Sequence, residues 1–160
     1  MEKPPIFVVD ASVAVKWYVK EVMRDKALEI RQHFVSELIE LEAPTLLVYE
    51  VGNAVRHHPG STSADYAEAV KQLHNLGLVM HGLDGQIVDT AANLAFEEKL
   101  TFYDAVYLAL AKNLETMLVT ADQKLTENLS AANRSHIMLL QDYRYSEQKE
   151  SEAKGRSPSG

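Results

Sequence analysis

Cysteine is absent from the 160 residues, which excludes disulfides, iron–sulfur clusters, thiolate zinc sites and thiol nucleophiles. Glycine and proline are sparse, at 7 and 5 residues, so collagen-like and low-complexity chains are excluded as well. No apolar run approaches the roughly 18 residues that signal a membrane span. The opening Met1-Glu2-Lys3-Pro4-Pro5 meets only a short apolar stretch before Asp10. That is not the form of a signal peptide, and a cytoplasmic protein is expected. Positive charge is also scarce: 16 Lys and Arg face 23 Asp and Glu, a net charge of −7. Proteins that hold nucleic acid by general attraction usually carry the opposite sign. Any handling of RNA or DNA therefore falls to a local site, with cations supplying part of the attraction.

What is present is a 46% apolar, 24% charged composition, ordinary for one globular domain. Residues 146–160 hold three acids, three bases and no core-forming residue beyond Ala153. They read as a disordered tail behind a domain spanning 1–145. Within that domain short apolar runs alternate with helical patterns. Strands are expected at Ile6–Val9, Leu78–His81, Met117–Thr120 and Ile137–Leu140, with a short connection or strand at Glu42–Thr45. Helices are expected over 12–20, 22–39, 46–57, 61–75, 87–98, 102–114 and 122–132, with Gly77 closing the fourth. Continuously apolar strands between helices mean a parallel sheet covered on both faces. The fold class is therefore α/β, three layers, with four or five strands.

In such a sheet ligands bind beyond the carboxyl ends of the strands. Asp10 follows the first apolar run directly and Asp122 follows Met117–Thr120, so both arrive at one rim. Each also suits a helix N-cap, and Thr101 with Asp104 has the form of a capping box. Glu50 has no such role. Its neighbours one turn away are Leu46, Leu47, Asn53 and Ala54, so no local base offsets it, and an unpaired buried carboxylate is costly. Asn53 lies where it can orient that carboxylate. Four acids with Ser12, Asn53 and Thr120 make an all-oxygen set, which favours Mg²⁺ or Mn²⁺ over zinc. Such clusters position water against a phosphodiester and neutralise the phosphate.

These residues resemble a known family. Val9-Asp10-Ala11-Ser12-Val13-Ala14-Val15-Lys16-Trp17, then Ala43-Pro44 and Tyr49-Glu50-Val51-Gly52-Asn53-Ala54, are similar to the first two motifs of PIN-domain ribonucleases. Leu100 to Ala111 is similar to the third motif, and Leu118-Val119-Thr120-Ala121-Asp122 with Lys124-Leu125 to the fourth. Four motifs in register over residues 6–140 make the resemblance specific, and its wording is most like VapC-type toxins of toxin–antitoxin pairs. The resemblance implies a PIN-like α/β/α fold and a metal-dependent endoribonuclease. Asp10, Glu50, Asp104 and Asp122 would be its acidic, metal-holding pocket, with one or two ions. Ser12 and Thr120 would support it and Asn53 would act behind it. It further implies a homodimer, an antitoxin whose segment enters the groove, and tRNA or ribosomal RNA as substrate. Two stretches depart from the pattern: Tyr18-Val19-Lys20-Glu21, and the break His57-His58-Pro59-Gly60.

Five bases within 16–31 stand against three acids, a segment that offers either a phosphate track or an ordinary solvated helix face. Lys16 is its best candidate for RNA contact. Tyr18, Tyr103 and Tyr107 offer base stacking, whereas Trp17 reads as a packing residue. Arg56, His57 and His58 suit a helix C-terminus. The competing function is a catalytically silent PIN-like scaffold that binds RNA or protein. A phosphatase forming an aspartyl phosphate is disfavoured by Ser12, which stands where a second acid is usual. A nicotinamide fold is disfavoured by the lack of a glycine-rich turn after the first strand.

Overall fold

A computed structural model describes residues 2–145, so the expected tail at 146–160 lies outside the described residues. Five strands form one sheet: β1 (Ile6–Val9), β2 (Glu40–Pro44), β3 (Val79–His81), β4 (Met117–Thr120) and β5 (Ile137–Leu139). Their order is β3-β2-β1-β4-β5 and every pairing is parallel. Valine, leucine and isoleucine dominate β1, β4 and β5, as burial on both faces requires. Val8, Val9, Leu41, Ala43, Leu118 and Val119 are fully buried.

Among the described residues eight α-helices connect and cover the strands: α1 (Ala11–Ala14), α2 (Arg24–Val35), α3 (Leu46–His57), α4 (Ser63–Asn75), α5 (Gly85–Glu97), α6 (Phe102–Asn113), α7 (Gln123–Glu127) and α8 (Ala131–Arg134). From β1 the chain steps outward through β2 to β3, then returns past β1 to β4 and β5. Right-handed crossovers therefore place α1 to α4 on one face of the sheet and α5 to α8 on the other. Residues Ala105 to Ala111 of α6 are all buried, because α6 lies between the sheet strands β1, β2 and β4 and the helix α5. Gly52 lets α3 and α4 meet closely: a Cβ there would stand 3.0 Å from Val70 and 3.2 Å from Tyr66.

Several boundaries differ from those expected, for local reasons. The helix expected over 12–20 is only α1 followed by a 3-10 turn at Val15–Trp17. Arg24 ties that turn off by donating to the Lys16 carbonyl at 3.1 Å and the Trp17 carbonyl at 3.5 Å. The helix expected to reach Ile39 ends at Val35, because Glu37 turns left-handed at φ 59° and Leu38 N–H folds back to the His33 carbonyl. β2 thereby begins two residues early, at Glu40. The helix expected over 122–132 divides into α7 and α8, with Ser130 capping the second. Gly77 sits at φ 90° just past α4, as expected of a C′ glycine.

Candidate active site

The switch point of the sheet lies between β1 and β4, where the chain's winding direction reverses. In open parallel sheets this is where a crevice opens. Asp10 stands there, its N–H extending the ladder to the Val119 carbonyl at 3.0 Å. Its side chain is 8% exposed and fully occupied by donors. Oδ1 accepts from Ala11 N–H at 2.9 Å, and Oδ2 accepts from the hydroxyls of Ser12 and Thr120, each at 2.7 Å. Ser12 Oγ in turn accepts from Ala121 N–H at 2.9 Å, and Thr120 Oγ1 from Asp122 N–H at 3.1 Å. The ends of β1 and β4 are thus laced together through Asp10, Ser12 and Thr120.

Helices deliver the other acids. Glu50 projects from the middle of α3, half-buried. Its Oε1 is enclosed and has no hydrogen-bond partner. Asp104 occupies the first turn of α6, where its N–H donates to the N-cap hydroxyl of Thr101 at 3.1 Å. Asp122 caps α7, accepting from Lys124 N–H at 3.0 Å, and is exposed. The inner three acids feel one another. Burial pushes all three carboxyls above the usual range, and repulsion adds to it, from Asp104 on Asp10 and from both Asp10 and Asp104 on Glu50. Asp122 bears on Asp104 in the same sense. The donors of Ser12 and Thr120 oppose burial at Asp10 without overcoming it.

Ser12 and Thr120 stand beside Asp10, whereas Asn53 and Lys16 are placed differently from what was expected of them. Asn53 is exposed and makes no hydrogen bond to Glu50; one helical turn carries it out to solvent instead. Lys16 is 9% exposed and paired with Glu21 at 3.1 Å, so its ammonium does not present an open phosphate contact. Lys26 pairs with Glu29 at 3.6 Å, and Arg24 is spent on backbone carbonyls. Three of the five bases from 16 to 31 are therefore engaged within the chain. Tyr107 is 1% exposed, which removes it as a base-stacking surface. Its hydroxyl instead faces Glu50, and neither group completes a sound hydrogen bond. Its position three residues beyond Asp104, on the same helix face, was the available signal. Tyr103 stays open at 61% exposure, beside a slot of about 230 Å³ lined by Tyr49, Phe102, Leu83 and Ile87 among others.

Among the described residues no three acidic or histidine side chains converge tightly enough to hold a metal ion unaided. The donor set nevertheless suits a hard divalent cation. It is all oxygen, it lacks an ion-pairing base, and it includes one enclosed oxygen with no donor.

Comparison with known proteins identifies the family. Residues 7–128 match the PIN domain family. Ribonuclease VapC3 of Pyrobaculum aerophilum is 33% identical over 129 residues, covering 78% of this chain and 95% of that protein. Exonuclease VapC9 of the same organism is 30% identical over 137 residues, covering 86% and 96%. The crystal structure of VapBC2 from Rickettsia felis, bound to a DNA fragment from its promoter, shares the fold at a TM-score of 0.64 and 12% identity, covering 84% of this chain and 98% of that one. With the match running from β1 through α7 and enclosing all four acids, the chain belongs to the PIN domain family.

Proposed function

We propose that this chain is a divalent-metal-dependent endoribonuclease and the toxin of a toxin–antitoxin pair, with Asp10, Glu50, Asp104 and Asp122 holding one or two Mg²⁺ or Mn²⁺ ions. The observation that carries the reading is the gathering of three desolvated, mutually repelling acids at the sheet's switch point without a base to offset them. A divalent cation held by these acids would supply positive charge against the phosphate and lower the pKa of a water. The chain's own part is to hold the acids there. Ser12 and Thr120 fix the rotamer of Asp10, the N-cap of α6 presents Asp104, and α3 brings Glu50 over the rim. The formal charge of −7 assigns no general attraction for RNA to the protein surface.

The names of the relatives support a nuclease but differ in mode, one being called a ribonuclease and the other an exonuclease. A covalently closed RNA circle separates the two. The parent with Mn²⁺ is expected to open the circle, and Asp10→Asn is not. Degradation of linear RNA with circles left intact would make it an exonuclease, and inertness toward both would leave the silent scaffold. tRNA or ribosomal RNA is the substrate class proposed, and RNA ends sequenced after induction identify the site.

The antitoxin is expected to send an Arg or Lys side chain among the same carboxylates, since a charge-assisted pair there replaces the cation. That the VapBC2 structure shares this fold supports a partner of this kind. A homodimer is the proposed state of the free chain, supported by exposed apolar residues: Phe96 at 90%, Tyr49 at 76%, and Leu83 and Tyr103 at 61% each. Sedimentation tests it.

A further inference from the structure

Each of the two inner aspartates has an uncharged hydroxyl partner. Ser12 and Thr120 donate to Asp10, and the Thr101 hydroxyl accepts from the Asp104 backbone N–H. Glu50 faces a hydroxyl as well, that of Tyr107, yet the two make no hydrogen bond of normal geometry: Oε1 of Glu50 and the Tyr107 oxygen are both enclosed and without such a partner. Tyr107 lies one turn beyond Asp104 on α6, so α6 supplies an acid and a phenol to the same rim. Packing does not call for the phenol oxygen, because a phenyl ring fills the same space. Leaving such a group enclosed and unpaired is costly.

We propose that Tyr107 is a positioning residue for Glu50: its hydroxyl donates to Oε1 once the carboxylate turns toward a bound divalent cation, leaving the second oxygen to face the ion. The proposal rests on the metal-dependent reading above. A phenol suits the task better than a base. A tyrosine hydroxyl is an uncharged donor. A lysine in its place would neutralise the acids and compete with the cation. Groups that orient a metal-binding side chain from behind typically contribute about 10–100-fold to metal affinity.

The test is Mn²⁺ binding to the full chain without RNA, followed by calorimetry or by the electron paramagnetic resonance of free Mn²⁺. Parent, Tyr107→Phe and Glu50→Gln are compared, with melting temperatures taken in EDTA. Tyr107→Phe is expected to weaken Mn²⁺ binding by about 10-fold or more, with an unchanged or raised melting temperature in EDTA, since an orphaned hydroxyl has been removed. Glu50→Gln is expected to weaken binding at least as much. Parental affinity in Tyr107→Phe beside weakened binding in Glu50→Gln overturns the positioning role and leaves the metal reading standing. Parental affinity with a lowered melting temperature in EDTA assigns Tyr107 to packing alone and overturns it too. If the parent shows no saturable Mn²⁺ binding, or Glu50→Gln binds like the parent, the metal reading falls and the inference with it.

Discussion

Glu98, at the C-cap of α5, and Glu50, in α3, are both half-buried acids, and the fold treats them in opposite ways. Glu98 accepts from the Ser130 amide at 3.0 Å, the Ser130 hydroxyl at 2.6 Å and the Asn133 side-chain amide at 2.5 Å. Those donors hold its carboxyl below the usual range. Glu50 keeps an enclosed oxygen with no donor, and burial beside two other acids pushes its carboxyl up. Glu42 repeats the first pattern inside the sheet, where His81 Nε2 stands 2.6 Å from its Oε2. A chain that can satisfy Glu42 and Glu98 could satisfy Glu50 by the same means. Strain concentrated on Asp10, Glu50 and Asp104 is the kind of local inconsistency that functional sites show.

Cleavage separates the two environments most widely. Asp104→Asn is expected to lower Mn²⁺-dependent RNA cleavage by at least about 100-fold, because the ions that position water lose a ligand charge. Glu98→Ala is expected to cleave at close to the parental rate. Initial rates on one RNA substrate measure both. If Asp104→Asn cleaved like the parent, Asp104 would be only the first-turn acid of α6; an equal loss in Glu98→Ala would erase the distinction between the regions.

Stability is expected to reverse that order. Glu98→Ala removes the donors' shared acceptor and loosens the start of α8, which costs about 1 kcal/mol at this solvent-reached position. Asp104→Asn, in metal-free buffer, keeps the shape and removes one repelling charge. It is expected to match the parent or exceed it by at most about 1 kcal/mol, solvent screening limiting the gain. Urea melts in EDTA read both, and a clear destabilisation by Asp104→Asn would show that the rim is not strained.

Much of this contrast was legible in the sequence. Apolar runs ending at Asp10 and just short of Asp122 marked the rim, and Glu50 stood out because its helix offers it no base. Illegible were features decided by tertiary geometry. Helices α5 and α6 are closed by Lys99 and Glu115 at φ 55° and 54°, and α2 by Glu37 at 59°. Left-handed charged residues send no glycine signal, so α2 read as four residues too long. Lys16 looked free because its partner Glu21 sits five residues on, in a turn rather than on the same helix. Asn53 shares the register of Glu50, but a one-turn offset carries it into solvent while Glu50 points inward. Tyr107 read as one aromatic among several until burial turned its hydroxyl into the rim.

The smallest expected effect is also the most direct reading of strain at the rim: the pH dependence of the metal-free chain. Asp10, Glu50 and Asp104 carry carboxyls raised above their ordinary values of 3.8 for Asp and 4.5 for Glu. Between the ordinary and the raised values the native chain holds protons that the unfolded chain has released. Stability therefore falls as pH rises through that window, and the full repulsion persists above it. Glu98 and Asp65 act in the opposite sense. Their lowered carboxyls contribute stability above the ordinary values and lose it as pH drops through the lowered ones. Melting temperature in EDTA is thus expected to decline on the alkaline side of the ordinary carboxylate range through the rim, and on the acid side through Glu98 and Asp65. Asp104→Asn removes one rim acid and relieves its neighbours, so its curve should converge on the parent's at low pH and lie at or above it as pH rises. Taking the difference between the two curves cancels the groups that Asp104 does not touch, Glu98 and Asp65 included. Added Mn²⁺ should lift the parent's alkaline limb more than the variant's, since binding to the native state alone stabilises in proportion to occupancy. A difference curve that stays flat across the carboxylate range would mean that Asp104 titrates alike in both states, and the contrast between Glu50's surroundings and Glu98's would then not extend to it.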